Sequence, residues 1–208
     1  MERDALRQLY EWKARTNRKP LIIRGARQVG KTWLMMEFAR KAYDKWIYVN
    51  FADEEMLKHV FEPDFDITRI IDALSLRFHT DIDKDTLLIF DEIQAAPRGV
   101  TSLKYFCEKA PEYHVVTAGS LLGISMHNGD SFPVGKVDFL SLMPMSFMEV
   151  LRAAGEERLA KLIVESKWDS IRYVKDRIVQ LLRLYYFVGG MPEAVKAYCE
   201  GLGFDEVR

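Results

Sequence analysis

The feature that most restricts what this chain can fold into is the loop Gly25-Ala26-Arg27-Gln28-Val29-Gly30-Lys31-Thr32. It lies between the apolar run "PLIIR" (20–24) and the helix-like stretch "LMMEFARKAY" (34–43). It fits G-x-x-x-x-G-K-[S/T], and the strand before it and helix after it are the setting that pattern requires. The spacing has a physical cause. Successive backbone N–H groups must turn inward around an anion, glycines let the backbone come close, and the following helix adds the positive end of its dipole. Lys31 then reaches the β- and γ-phosphates of a nucleoside triphosphate as a point charge, and the Thr32 hydroxyl offers Mg²⁺ an oxygen ligand. Trp33, the next residue, is grouped with the loop as a nucleotide contact. The competing reading is a glycine-rich turn that only joins strand to helix.

The rest of the pattern extends this unit into a sheet. "WIYVNF" (46–51), "TLLIF" (86–90), "YHVVT" (113–117) and "VDFLSL" (137–142) read as further short strands. Between them run helical stripes, Ile67-Ile70-Ile71-Leu74-Phe78 and Leu103 to Ala110. Short apolar strands alternating with helices predict an α/β fold, a parallel sheet of about five strands covered on both faces. Leu6, Leu9 and Tyr10 predict an amphipathic helix within residues 1–16, stopped by "TNRKP". After "PMSFMEVLRAAG" the strands cease, and Ile171, Val174, Ile178, Leu181, Leu182 and Tyr185 form a long helical stripe. The expected division is therefore a nucleotide-binding core over 1–150 and a small, incomplete helical unit over 151–208.

"TLLIFDEIQ" sets Asp91 and Glu92 at the carboxyl end of a buried strand, where open α/β sheets bind ligands. Asp91 matches the Walker B aspartate that holds Mg²⁺, and Glu92 stands where it can orient or deprotonate an attacking water. Asp81, Asp83, Asp85 and Glu92 also match four EF-hand positions. Thr86 replaces the glycine needed for that loop's sharp turn, and the second half of the loop would be an apolar strand, so the match is rejected. After the fourth strand comes "VVTAGS", whose end is expected beside the Walker B strand; Ser120 is the first choice, and Thr117 the second, for a hydroxyl that senses the γ-phosphate.

Charge excludes little but weights the alternatives. Thirty Lys and Arg against 31 Asp and Glu give a formal net charge of -1, so no whole-protein field draws the chain to nucleic acid or an acidic membrane. No run of about 18 apolar residues and no apolar leader is present, and a cytoplasmic location is expected. Cys107 and Cys199 are expected to be reduced core thiols, and the four histidines lack metal-ligand spacing.

Taken in order, "PLIIRGARQVGKTWLMMEFA", "LLIFDEIQAAP", "VVTAGSLLG", "FPVGKVDFLSLMPMSFMEVL" and "GGMPEAV" resemble a group of bacterial and archaeal AAA+-type P-loop ATPases. That group is related to the archaeal ATPases and to signal-transducing NTPases with a GxP-containing lid. The resemblance covers nearly the whole chain. It implies an ATP- and Mg²⁺-dependent core with strand order 5-1-4-3-2, then a helical lid in which Gly190-Met191-Pro192 is the GxP element and Pro192 packs against the adenine. The bland reading of that element is a helix-breaking turn. The group usually continues into a winged-helix-like segment and a nuclease-like domain, so the chain is expected to be an N-terminal fragment, and no nuclease claim attaches to it. Relatives act as oligomers or large switches completed by a neighbour's arginine. Arg24, Arg27, Arg98, Arg177 and Arg183 are all ordinary surface arginines by sequence, and the group's usual Gly-Arg after the sensor segment is Gly135-Lys136 here.

Three classes of function follow. The first is a Mg²⁺-dependent ATPase working as a nucleotide-driven switch or motor, with ATP as ligand and a homo-oligomer as the implied assembly. The second is a P-loop small-molecule kinase, with residues 52–82 as the place for an acceptor. The third is a nucleotide-dependent module that grips DNA or protein with little turnover, for which the charge gives no support.

Overall fold

The structure, a computed structural model, describes residues 1–119 and 132–201 of the chain. The chain divides into two compact units. One comprises Ala5–Gly25 and Lys31–Leu142; the other comprises Met1–Asp4, Ala26–Gly30 and the chain from Met143 onward.

The first unit is built on five parallel strands, β1(Leu21–Arg24), β2(Trp46–Asn50), β3(Leu87–Asp91), β4(His114–Ala118) and β5(Asp138–Ser141). Their spatial order is β2-β3-β4-β1-β5, the expected 5-1-4-3-2 read from the other edge. Around them lie α1(Ala5–Lys13), α2(Lys31–Ala42), α3(Ile67–Phe78) and α4(Gly99–Lys109), with a single 3₁₀ turn at Ile93–Ala95. The order explains a difference from the sequence reading, in which all strands looked alike. β3 and β4 are central and buried along their whole length, whereas β2 and β5 close the sheet and alternate in exposure. An edge strand lacks a neighbour on one side and has less helix over it.

The core on one face gathers Ile22, Phe51, Phe61, Ile70, Leu74, Phe90, Leu103 and Phe106, all at most 1% exposed. Phe90 meets Phe51 and Phe106 edge-on at centroid distances of 5.6 and 6.0 Å, the geometry ring quadrupoles favour. Helix α3 starts where the Asp66 carboxylate accepts from the Thr68 and Arg69 N–H groups, satisfying donors with no partner inside the helix. Helix α4 packs against the 3₁₀ turn so tightly that a Cβ on Gly99 would lie 2.5 Å from the Ile93 carbonyl oxygen. The "DIDKD" stretch leads into a turn: Asp83 accepts from Lys45 and Thr86, and these contacts, Lys45 first, hold its carboxyl down at about 2.

The second unit carries α5(Phe147–Ala153), α6(Glu157–Val164), α7(Trp168–Val188) and α8(Pro192–Cys199). Leu151, Leu159, Ala160 and Leu181 form one small core, with Val174, Ile178 and Leu184 against it. Met145, Val150 and Val195 form another beside Tyr185. A reciprocal capping box starts α5: the Glu149 N–H donates to Ser146 Oγ and the Ser146 N–H to Glu149 Oε2. Both cysteines are free thiols, but Cys107 is only half-buried and Cys199 is exposed, so neither fills a core. Cys199 is the last residue of α8. No helix among the described residues is long and apolar enough to cross a membrane.

Candidate functional site

In the sheet unit, β3 carries Asp91 to its carboxyl end and α2 begins at Lys31, so the two elements that follow from the sequence motifs converge. The Thr32 hydroxyl donates to Asp91 Oδ2 at 2.6 Å, and the Tyr48 hydroxyl, from β2, donates to the same oxygen at 3.0 Å. The other oxygen, Oδ1, accepts the N–H of Glu92 at 3.1 Å. Asp91 is 5% exposed, and its carboxylate is held by these three donors. Burial, then the neighbouring Asp91 charge, pushes the Tyr48 phenol well above its usual range, so it stays a donor. Lys31 Nζ donates to the Gly25 carbonyl at 3.1 Å, and no acidic residue sits in the first turn of α2, which leaves the positive end of its dipole uncompensated there.

A hydroxyl and a carboxylate oxygen in direct contact are hard donors of the kind Mg²⁺ takes. That ion needs only one or two protein oxygens, because water and phosphate supply the rest. The pair therefore fits the metal implied by the sequence.

Glu92 follows in a left-handed conformation (φ 48°, ψ 41°), which a non-glycine residue adopts at a cost. The Gln94 side-chain amide donates to its carboxylate. Thr117 pairs directly with Ile22 and Phe90 across the sheet, and directly opposed residues share a face. Its side chain thus lies on the Phe90 face, whereas Asp91 and its partner Ala118 lie on the other. The Thr117 hydroxyl is fully buried and has no hydrogen-bond partner among the described residues. Ser120 lies outside the described residues. Trp33 is 38% exposed on α2.

In the helical unit, Ala26, Arg27 and Gln28 are exposed and Val29 is fully buried. Gln28 (φ 63°) and Gly30 (φ 90°) are both left-handed. Arg3 reaches this segment from the start of the chain. Its Nη1 donates to the Val29 carbonyl at 2.8 Å, Nη2 to the Met143 carbonyl at 2.6 Å and Nε to Glu149 Oε1 at 3.0 Å. Burial pushes the Glu149 carboxyl up, but the N–H groups of Ser146 and Asp4 and the Arg3 guanidinium outweigh it and hold the group below its usual range. A Cβ built on Gly30 would stand 3.7 Å from both Arg3 Nη1 and Pro192 Cγ. Pro192, the first residue of α8, therefore lies beside the glycine that precedes Lys31. Gly190 is pinned by the Met145 N–H, which donates to its carbonyl at 2.6 Å, while Tyr185 donates to the Met145 carbonyl at 2.9 Å.

The arginines considered from sequence mostly have internal partners. Arg24 donates to Ser141 and lies over the Phe139 ring, Arg98 lies 4.1 Å from the centroid of Phe65, and Arg177 pairs with Glu156 at 2.7 Å. Lys136 pairs with Glu108 at 3.0 Å. Sequence reasoning missed Arg3, Tyr48, Gln94 and Glu149. Only Glu149 had a local signature, because "SFME" spells a capping box ahead of an apolar run.

Five parallel strands, a glycine loop between β1 and α2, and an aspartate at the end of β3 define a P-loop ATPase fold. A family model described as an AAA domain matches residues 17–151, and the chain belongs to that AAA family. Membership brings nucleotide-binding ATPase chemistry in general terms. Among solved structures, the chain is similar to the Walker-type ATPase PABY2304 of Pyrococcus abyssi, with TM-score 0.53 and 15% identity over 98% of this chain and 69% of that one. It is also similar to C. elegans PCH-2, with TM-score 0.41 and 13% identity over 76% of this chain and 44% of that one. The first likeness bears on the fold alone. No curated protein matches the sequence significantly.

Proposed function

We propose that this chain binds ATP with Mg²⁺ and hydrolyses it. The observation that carries the reading is the Thr32 to Asp91 hydrogen bond beside Lys31, a metal-type oxygen pair next to a phosphate-type cation at a helix start. Gly25, Ala26, Arg27, Gln28, Val29 and Gly30 supply backbone N–H groups to the phosphates. Lys31 adds charge at the β- and γ-phosphates, and Thr32 and Asp91 hold the metal, which when bound neutralises phosphate charge. Glu92 orients an attacking water and accepts its proton. Ser120 is carried as the γ-phosphate sensor on sequence grounds, ahead of Thr117, and Trp33 as a contact at the loop's edge. ATP is preferred to GTP because the sequence has no guanine-reading NKxD-type motif. Pro192 lies beside Gly30 and is assigned a lid contact with the nucleotide; the switch or motor role and the homo-oligomer rest on the sequence resemblance.

Phosphate release at saturating Mg·ATP tests the reading: turnover that persists in Lys31→Ala or Glu92→Gln defeats this division of roles. A second reading, a small-molecule kinase, draws on a cavity of about 710 Å³ bordered by Asp64, Phe65, Thr68, Arg98, Tyr105 and Lys109. It falls in and beside the segment where an acceptor was expected. A phosphorylated metabolite in place of free phosphate would favour it.

A further inference from the structure

Arg3 is 5% exposed, as is Glu149, and each is among the few charged residues buried among those described. Arg3 satisfies three acceptors on three separate segments, 26, 140 and 146 positions away. A buried ion pair is poor value as a stabiliser, since desolvation offsets the attraction. Geometry is what it supplies: the planar fork fixes three partners at once, which lysine cannot do.

The partner that matters is the Val29 carbonyl. In a planar trans peptide the C=O and the following N–H point to opposite sides. With the Val29 oxygen held on Arg3 Nη1, the N–H of Gly30 is turned away from the guanidinium. Gly30 itself is left-handed at φ 90°, so this peptide could otherwise flip at little cost. On the far side of Arg3, Glu149 accepts from Nε through Oε1 and from the Ser146 N–H through Oε2, so the same carboxylate caps α5 and orients the arginine. The Asp4 N–H also donates to Oε1 at 2.8 Å, which fixes the backbone immediately after Arg3.

We propose that Arg3, oriented by Glu149, is a positioning residue for the nucleotide: it holds the Val29–Gly30 peptide in the one orientation that offers the Gly30 N–H to a phosphate. The inference rests on the ATP-binding reading above. Arg3 touches no reacting atom, so its contribution is to ground-state and transition-state binding alike. Such uniform binding appears in KM and not in kcat.

The experiment compares the wild-type protein with Arg3→Ala, Arg3→Lys and Glu149→Gln, measuring KM and kcat for Mg·ATP, Kd for ADP and the thermal midpoint. We expect KM and the ADP Kd to rise together by about tenfold or more in Arg3→Ala, the scale of losing a hydrogen bond to a charged group. Arg3→Lys, which keeps the charge but not the fork, falls between it and wild type, and Glu149→Gln raises both values less. In every variant that is folded, kcat at saturation stays within about twofold. Where Arg3→Ala does not fold, Arg3→Lys and Glu149→Gln decide. Folded variants with wild-type KM and ADP affinity overturn the inference, as does a fall in kcat at unchanged KM, and a lowered thermal midpoint alone would mark a purely structural pair. Wild-type protein that binds neither ATP nor ADP would instead remove the ATP-binding reading itself.

Discussion

Thr32 and Asp91 are joined by a 2.6 Å hydrogen bond from Oγ1 to Oδ2, which ties the first turn of α2 to the last residue of β3. The bond brings together an oxygen from the glycine-loop motif and one from a strand 59 positions later. Thr32→Ala removes the hydroxyl and leaves Asp91 in place. The expected result is a requirement for about tenfold more Mg²⁺ to reach half-maximal phosphate release, read from a metal titration at fixed ATP.

Tyr48 is the second hydroxyl on that oxygen. Tyr48→Phe keeps the ring and deletes the donor, so the carboxylate loses an orienting partner. Mg²⁺ affinity is expected to drop by roughly tenfold, within the range for losing a metal ligand's outer partner, with the far-UV spectrum unchanged. An unaltered metal titration would reduce Tyr48 to a space-filling residue of an edge strand.

Glu92→Gln separates grip from chemistry. Removing a positioned base costs about 10²- to 10⁴-fold in turnover, while the loop and Lys31 still hold the nucleotide. Equilibrium ATP binding should survive in this variant and fail in Lys31→Ala; the reverse pattern would exchange the two assignments.

Most of the sheet was legible because its strands are short, apolar and separated by helical stripes. Each strand lies within a residue or two of its expected span, and the implied strand order holds. Exposure at the edges was not legible, since "WIYVNF" looks as apolar as "TLLIF", and only the order of strands shows that β2 has a neighbour on one side. For the same reason nothing in the sequence sets Tyr48 apart from its neighbours in that strand. The glycine loop and Asp91-Glu92 stood out in the sequence because phosphate and metal chemistry would demand such residue types at such spacing, and the structure brings Thr32 to Asp91. Arg3 had no such pattern: its acceptors are two carbonyls and a carboxylate brought to it by the fold. The face on which Thr117 lies likewise depends on strand register, which an apolar run does not encode.

His114 opens β4, only 7% exposed, with Nδ1 2.6 Å from the Tyr43 hydroxyl. Burial first, then the Arg18 and Lys13 charges, lowers its pKa from 6.5 to about 4. Between those values the unfolded chain binds the proton and the folded chain does not, so stability is complete above about pH 6.5 and falls as pH drops toward 4. The loss is up to about 1.4 kcal/mol for each pKa unit. Urea unfolding at pH 7, 5.5 and 4.5 should show this decline for wild type and a shallower one for His114→Gln.

Gly190 has no room for a side chain. A Cβ there would stand 2.2 Å from the Met145 carbonyl oxygen and 3.0 Å from its nitrogen, so the backbone pairing of these two residues must open. Gly190→Ala is expected to cost about 1–3 kcal/mol, as overpacking does. Thermal unfolding monitored by the near-ultraviolet signal of the helical unit would register it, and a midpoint equal to wild type would count against the close approach.

Arg3 meets the Met143 carbonyl and the Glu149 carboxylate across separations of 140 and 146 positions. Contacts between residues so far apart in sequence carry a large loop-closure cost and form late. During synthesis the arginine therefore leaves the ribosome long before the partners that desolvate it, and the Val29 carbonyl gains its buried donor only when the helical unit closes around both.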